Sequence, residues 1–323
     1  MTQTICGVDI SSQSLDARIG RQGAFAQFPN STEGITALRA FCQAHQVELV
    51  AMEATGGYEQ QAFAQLSDQG LPVAILNPRA VRQFAQSMGS LEKTDRIDAG
   101  MIAWYAEVKK SPPLPLAAKS QQHLRALVTR LRQLTDIRTA QTNQQRLVTD
   151  RAVQASFKKL LAMLARQIRE IEKRIAALLD QDPLWRELDQ AFRTIKGVAD
   201  RTVARIMAEM PEIGVLSNKT ISKLAGVAPL ANDSGNHQGK RAVRGGRAAV
   251  REILFIVASV VGRCEPDFIT FQKRLRAAGK PPKVVRIALA HKLLVRLNAK
   301  ARQVRQRLAA PQTEQVALPA ATR

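Results

Sequence analysis

Short apolar runs separated by turn residues fill the first hundred positions, and this rhythm predicts an α/β layer fold. Ile5–Ile10 and residues 15–19 read as two strands around the polar turn from Ser11 to Ser14, a hairpin. Asn30-Ser31-Thr32-Glu33 has the form of a capping box, opening a helix to about His45, and a strand follows at 47–53. Gly56-Gly57 interrupts the chain before a helix over about 58–68. Val73–Leu76 is a further strand, stopped by Asn77-Pro78.

The period changes after Ser111-Pro112-Pro113-Leu114-Pro115, a cluster that cannot continue a helix. From about Lys119 to Leu179 there is neither Gly nor Pro. Leu124, Leu127, Leu131, Leu134 and Ile137 recur at three- and four-residue spacing, as do Leu160, Leu164, Ile168, Ile171 and Ile175. This predicts two long amphipathic helices, paired as an antiparallel or intermolecular coiled coil. Such a stripe is ordinarily a packing seam; one this long also suits dimerisation. Asp182-Pro183 ends the region, and a helical domain with Gly-rich interruptions follows. The expected organisation is 1–111, a coiled-coil linker at 112–183, an all-α domain at 184–308 and a disordered tail at 309–323.

Charge sharpens the picture. The 323 residues carry a formal net charge of +21, which points to a polyanionic partner. Residues 1–110 hold 9 Lys/Arg against 11 Asp/Glu, leaving 39 of the 48 bases and 16 of the 27 acids for residues 111–323, about +23. Three scattered cysteines and four histidines indicate neither a disulfide framework nor a zinc site. No apolar stretch approaches the roughly 20 residues of a membrane span, so the expectation is a soluble, cytoplasmic protein that works on nucleic acid and not on membrane.

Within the acidic part, Asp9 lies inside an apolar strand, Glu53 ends another, and Asp95 and Asp98 share one face of a helix. Singly, each acid reads as a surface residue or an Arg partner. Converging, four carboxylates would repel one another unless cations sat among them, and hard oxygen ligands in this number suit Mg²⁺ or Mn²⁺. In the basic part, Thr194-Ile195-Lys196-Gly197-Val198-Ala199 and the helix after it look like a helix-hairpin-helix, with Ala199 where a second glycine is usual. Such a hairpin offers Lys196, the Gly197 amide and a helix N-terminus to a phosphate, and a plain helical turn is the alternative. Asp233-Ser234-Gly235 is by itself turn vocabulary. Lys240, Arg241, Arg247, Arg251, Lys280 and Lys283 are candidate phosphate contacts or simply a basic helical surface.

Several motifs together resemble a known family, the insertion-sequence-110 transposases with a DEDD tetrad, which include Piv-like DNA invertases. The resemblance runs over almost the whole chain. It rests on Gly7-Val8-Asp9-Ile10, Met52-Glu53-Ala54-Thr55-Gly56-Gly57-Tyr58, Asn77-Pro78, Lys93-Thr94-Asp95-Arg96-Ile97-Asp98-Ala99, Leu224-Ala225-Gly226-Val227-Ala228-Pro229, Ser234-Gly235 and Gly245-Gly246-Arg247. The Gly-Gly-Arg form is similar to the insertion-sequence-1111 subgroup.

The resemblance implies a RuvC-like (ribonuclease-H-like) α/β domain in which Asp9, Glu53, Asp95 and Asp98 bind the metal, and a catalytic Ser234 that attacks DNA. It further implies donor and target DNA, a structured noncoding guide (bridge) RNA, and homodimers assembling to tetramers. Two other readings stay open: a Holliday-junction resolvase-like nuclease using water, with Ser234 idle, and a non-catalytic nucleic-acid scaffold.

Overall fold

The computed structural model describes residues 3–89, 94–235 and 237–310, and the chain divides into two compact units, residues 1–117 and 118–323. The expected tail lies outside the described residues from position 311 onward.

In the first unit, β1 (Ile5–Ile10), β2 (Ser14–Ile19) and β3 (Phe25–Pro29) form an antiparallel meander. Then α1 (Thr32–Ala44) leads to β4 (Leu49–Glu53) and α2 (Glu59–Asp68) to β5 (Val73–Leu76), followed by α3 (Pro78–Ser87) and α4 (Asp95–Lys109). The strand order is β3-β2-β1-β4-β5, with β1–β4 and β4–β5 parallel. Strand alternation sorts the side chains into two cores. Cys6, Val8, Ile10, Leu15 and Ala17 pack against α1 and α2, whereas Ile5, Leu49, Ala51 and Leu76 pack against α3 and α4. By the same parity Asp9 and Glu53 fall on the α4 side.

Two elements of this unit go beyond those the apolar pattern predicts. β3 is a half-exposed edge strand closed by Pro29. The Asn77-Pro78 pair that stops β5 also starts α3: Pro78 fits the first helical turn, and the Asn77 side chain accepts the Arg79 N–H at 2.9 Å.

In the second unit, α5 (Lys119–Gln145) and α6 (Arg151–Gln181) pack on each other along most of the expected seam, with Leu124, Leu127, Leu131 and Leu134 buried on α5 and Leu164, Ile168, Ile175 and Leu179 on α6, whereas Ile137 is exposed, outside the seam. The break between them is capped by Asp150, which accepts the Val153 N–H at 2.9 Å. Next come α7 (Pro183–Arg193), α8 (Asp200–Glu209), α9 (Asn218–Leu224), the short strands β6 (Asp233–Ser234) and β7 (His237–Gln238), α10 (Ala248–Cys264), α11 (Pro266–Ala277) and α12 (Pro282–Ala309). The long-helix pair and the helices after Asp182 share one continuous apolar core. α12 threads that core with Val285, Leu289, Leu293, Leu297, Ala301 and Val304. Its one fully buried polar side chain, Asn298, accepts the Gly214 N–H at 2.8 Å and donates to the Leu216 carbonyl at 3.1 Å, tying the loop before α9 to the helix.

Candidate active site and nucleic-acid interface

The acidic face is built by strand register. β1 and β4 run parallel with Val8 beside Met52, so Asp9 and Glu53 lie one step on, in adjacent strands and on the same face. α4 lies on that face because Gly7 has no side chain. A Cβ at Gly7 would come within 2.0 Å of the Ala99 carbonyl oxygen and 2.5 Å of the Ala103 nitrogen. Ala99 directly follows Asp98, so this close approach sets the N-terminal part of α4 against β1, the strand of Asp9. Thr94 caps the helix by accepting the Ile97 N–H at 3.3 Å, and Asp95 opens it; the Asp95 side chain lies outside the described residues. Asp9 and Asp98 are half-buried, and an Asp9 carboxylate oxygen accepts the Ile10 N–H at 3.0 Å.

Two further acids organise this face, and sequence reasoning missed both. Asp16 is directly opposite Asp9 in the β1–β2 pair and only 3% exposed. It accepts from the Gln27 amide at 2.8 Å and the Ser14 hydroxyl at 3.0 Å. The signal was present: Asp16 interrupts a strand at an inward position, as Asp9 does. Glu59, also buried, accepts the backbone N–H groups of Thr55 and Gly57, each at 3.0 Å. It thereby fixes the loop that leaves Glu53.

The donor set on this face, hard carboxylate oxygens, matches Mg²⁺ or Mn²⁺ in chemistry. Among the described residues no three His, Cys, Asp or Glu side chains are grouped so as to hold a metal ion.

In the second unit, Ser234 is exposed in a two-stranded hairpin, paired across it with His237. Lys240 and Arg241 are exposed just beyond it, Arg241 within 3.9 Å of Asp233. The α7–α8 turn places Lys196 and Gly197 at an exposed tip over the buried Ile195 and Val198, and the Lys196 N–H donates to Glu265 at 3.2 Å. Asp200 occupies the α8 N-terminus in an ion pair with Arg193, so a phosphate there would meet a carboxylate first. Lys280 and Lys283 are exposed.

Arg247 and Arg251 are engaged inside the fold. Arg247 grips Glu212 through two bonds of 2.7 and 2.6 Å and donates to the Glu209 carbonyl at 2.6 Å. Burial pushes the Glu212 carboxyl up, but the Arg247 bonds, with the Arg125 charge, outweigh it and hold it below the usual carboxylate range. Arg251 donates to the Gly245 carbonyl. Gly246 makes this junction possible: a Cβ there would lie 2.3 Å from the Gly226 nitrogen. The two glycine motifs therefore press backbone on backbone.

A carboxylate-bearing α/β unit followed by a strongly basic helical unit is compatible with a DNA-recombining enzyme, and comparison with known proteins supplies that class. Residues 6–152 match a family model described as transposase, and residues 189–273 match that of the transposase IS116/IS110/IS902 family. The chain belongs to this transposase family. It is similar along its length to the pilin gene-inverting proteins of Moraxella bovis and Moraxella lacunata, each 27% identical over 324 positions that cover 94% of this chain and 98% of the relative. Among the described residues no helix is long and apolar enough to cross a membrane.

Proposed function

We propose that this chain is an RNA-guided DNA recombinase in which a RuvC-like acidic face and Ser234 together cut and rejoin strands. The observation that carries the reading is the register that sets Asp9 beside Glu53 on the face covered by α4, the helix of Asp95 and Asp98. The mixed β3-β2-β1-β4-β5 order with helices on both sides supports the ribonuclease-H-like assignment. Asp9, Glu53, Asp95 and Asp98 would hold Mg²⁺ or Mn²⁺, which, when bound, supplies a Lewis acid for phosphodiester exchange.

Ser234 supplies the nucleophile. Its Oγ forms a bond to phosphorus as the bond from phosphorus to one sugar oxygen breaks; the hydroxyl releases a proton and the leaving oxygen takes one up. Rejoining reverses this with the hydroxyl of another strand, so one phosphodiester replaces another and no outside energy source is required. The relatives are named for inverting a gene, an outcome that reciprocal exchange of this kind produces. The charge excess after residue 110 supports holding DNA and a structured guide RNA together. The exposed Ile137, Leu147 and Val153 on the α5–α6 pair support association of copies into dimers and tetramers.

The test is capture of the ester. Stalled reactions of the wild type should contain protein joined to DNA through Ser234, seen on denaturing gels and located by peptide mass spectrometry. RNA that co-purifies should restore exchange when added back. Full cleavage by Ser234→Ala, with no covalent species in the wild type, would overturn the serine mechanism in favour of a water-using nuclease.

A further inference from the structure

A hollow of about 580 Å³ in the second unit lies among α10, α11 and α12. Its wall carries Arg263, Arg276, Lys283 and Arg286, and among the described residues no acidic one lines it. The apolar lining comes from Phe255, Pro282, Val285 and Leu289. Arg286 is poised over the Phe255 ring, its guanidinium carbon 4.8 Å from the centroid. A guanidinium held against an aromatic ring is a flat platform with donors along its edge. A second hollow, about 500 Å³, shares Phe255 and adds Arg132 and Arg251; its one acid, Glu252, is bound to Arg205 at 2.8 Å.

From this we infer that the α10–α11–α12 cleft is a binding site for an unpaired stretch of nucleic acid, with a base against Phe255 and Arg286 and its phosphates on Arg263, Arg276 and Lys283. The inference rests on the reading of this unit as the nucleic-acid-holding part. Charge complementarity selects a polyanion. The apolar floor selects an unpaired strand: a paired base is stacked inside its duplex and cannot offer its face to a hollow, whereas a splayed base can lie on an aromatic or guanidinium plane. Two hollows meeting at one ring suit successive nucleotides on a continuous strand.

The test measures binding of the full chain to a short fluorescent oligothymidine and to a duplex of the same length. Arg276→Ala with Lys283→Ala removes two of the phosphate contacts, and should weaken single-strand binding about tenfold and lower its salt slope by about 1.4, since each phosphate contact contributes about 0.7. Duplex binding should change less. The control, Lys158→Ala with Lys159→Ala, removes the same charge from exposed positions on α6 and should leave single-strand binding near normal. Phe255→Leu keeps the charge and an apolar side chain but should weaken single-strand binding severalfold. Oligonucleotide carrying 5-iodouracil should crosslink to Phe255 under ultraviolet light.

Equal losses in the cleft and control pairs would overturn the cleft and leave general basic-unit binding standing. Equal losses for duplex and single strand would overturn the unpaired-strand assignment. Thymidine monophosphate competing as well as the oligonucleotide, phosphate for phosphate, would make this a free-nucleotide site and overturn the proposal. A wild type that binds neither nucleic acid would overturn the broader reading with it.

Discussion

Asp16 stands directly opposite Asp9 in the antiparallel β1–β2 pair, on the same face of the sheet. Directly opposed strand residues have Cβ atoms about 4.5–5.5 Å apart, and like charges there are destabilising unless other groups compensate. Gln27 and Ser14 satisfy part of Asp16, but both are neutral, so its charge adds to the negative potential around Asp9. We predict that Asp16→Asn keeps the fold yet raises the Mg²⁺ concentration needed for half-maximal recombination severalfold. An unchanged Mg²⁺ requirement would make Asp16 a purely structural partner of Gln27.

Gly7→Ala should be among the most damaging single-methyl changes in the chain. The new carbon would meet the backbone of α4 and not a flexible side-chain end, so α4 must move. Overpacking of this kind costs about 1–3 kcal/mol, and the displacement would carry Asp95 and Asp98 with it. Thermal melts should show the destabilisation, and recombination should be lost even at temperatures where the variant stays folded.

Arg247 and Lys240 should separate structural from binding cations. Arg247→Ala removes three charge-assisted bonds to Glu212 and Glu209, so a destabilisation of about 1–3 kcal/mol is expected. Lys240→Ala, at an exposed position, should leave the melting temperature unchanged and reduce nucleic-acid affinity with a shallower salt slope. The reverse pattern would return Arg247 to the interface.

Acid should destabilise the second unit in two windows. His291 is held below its ordinary pKa by burial, so the unfolded chain takes up its proton first and stability falls as pH drops below about 6.5. Glu212, despite its burial, is held below its ordinary value by Arg247, so its contribution is present above about pH 4.3 and is lost as pH falls through the folded value. Denaturant melts across this range should show His291→Gln flattening the upper window and Glu212→Gln the lower.

The parts of this architecture legible in the sequence were those with local, periodic causes. The seams of α5 and α6 follow from leucine spacing, and β1, β4, β5 and α1 follow from apolar runs and a cap. The strand positions of Asp9 and Glu53, and the helix opened by Asp95, were legible for the same reason. What escaped depends on partners distant in sequence. Arg247 reads as a free cation until Glu212, 35 residues away, is placed against it. Phe255 and Arg286 lie on different helices, and Glu59 reads as an ordinary first-turn acid until its bonds to the Thr55 and Gly57 amides are seen. β3 was missed because an edge strand with one half-exposed face has little apolar contrast to display.

Glu59 also allows the catalytic assignment of Glu53 to be tested against mere proximity. Glu53→Gln, Asp9→Ala and Asp98→Ala each remove a carboxylate from the acidic face and should abolish strand exchange while leaving nucleic-acid binding, which we assign to the basic unit, nearly intact. Glu59 acts at one remove, through the two loop amides that follow Glu53. Glu59→Gln keeps one acceptor oxygen but loses the charge that makes both bonds strong, so the loop should loosen without unfolding the unit. A displacement of about 1 Å at a reacting group can cost on the order of a hundredfold in rate. We therefore predict that Glu59→Gln lowers the maximal rate about 10- to 100-fold with DNA affinity unchanged, a smaller defect than that of Glu53→Gln. Single-turnover cleavage at saturating protein would measure it, because binding then drops out. If Glu59→Gln cleaves at the wild-type rate, the loop does not position Glu53; if Glu53→Gln does so, the acidic face is not the active site.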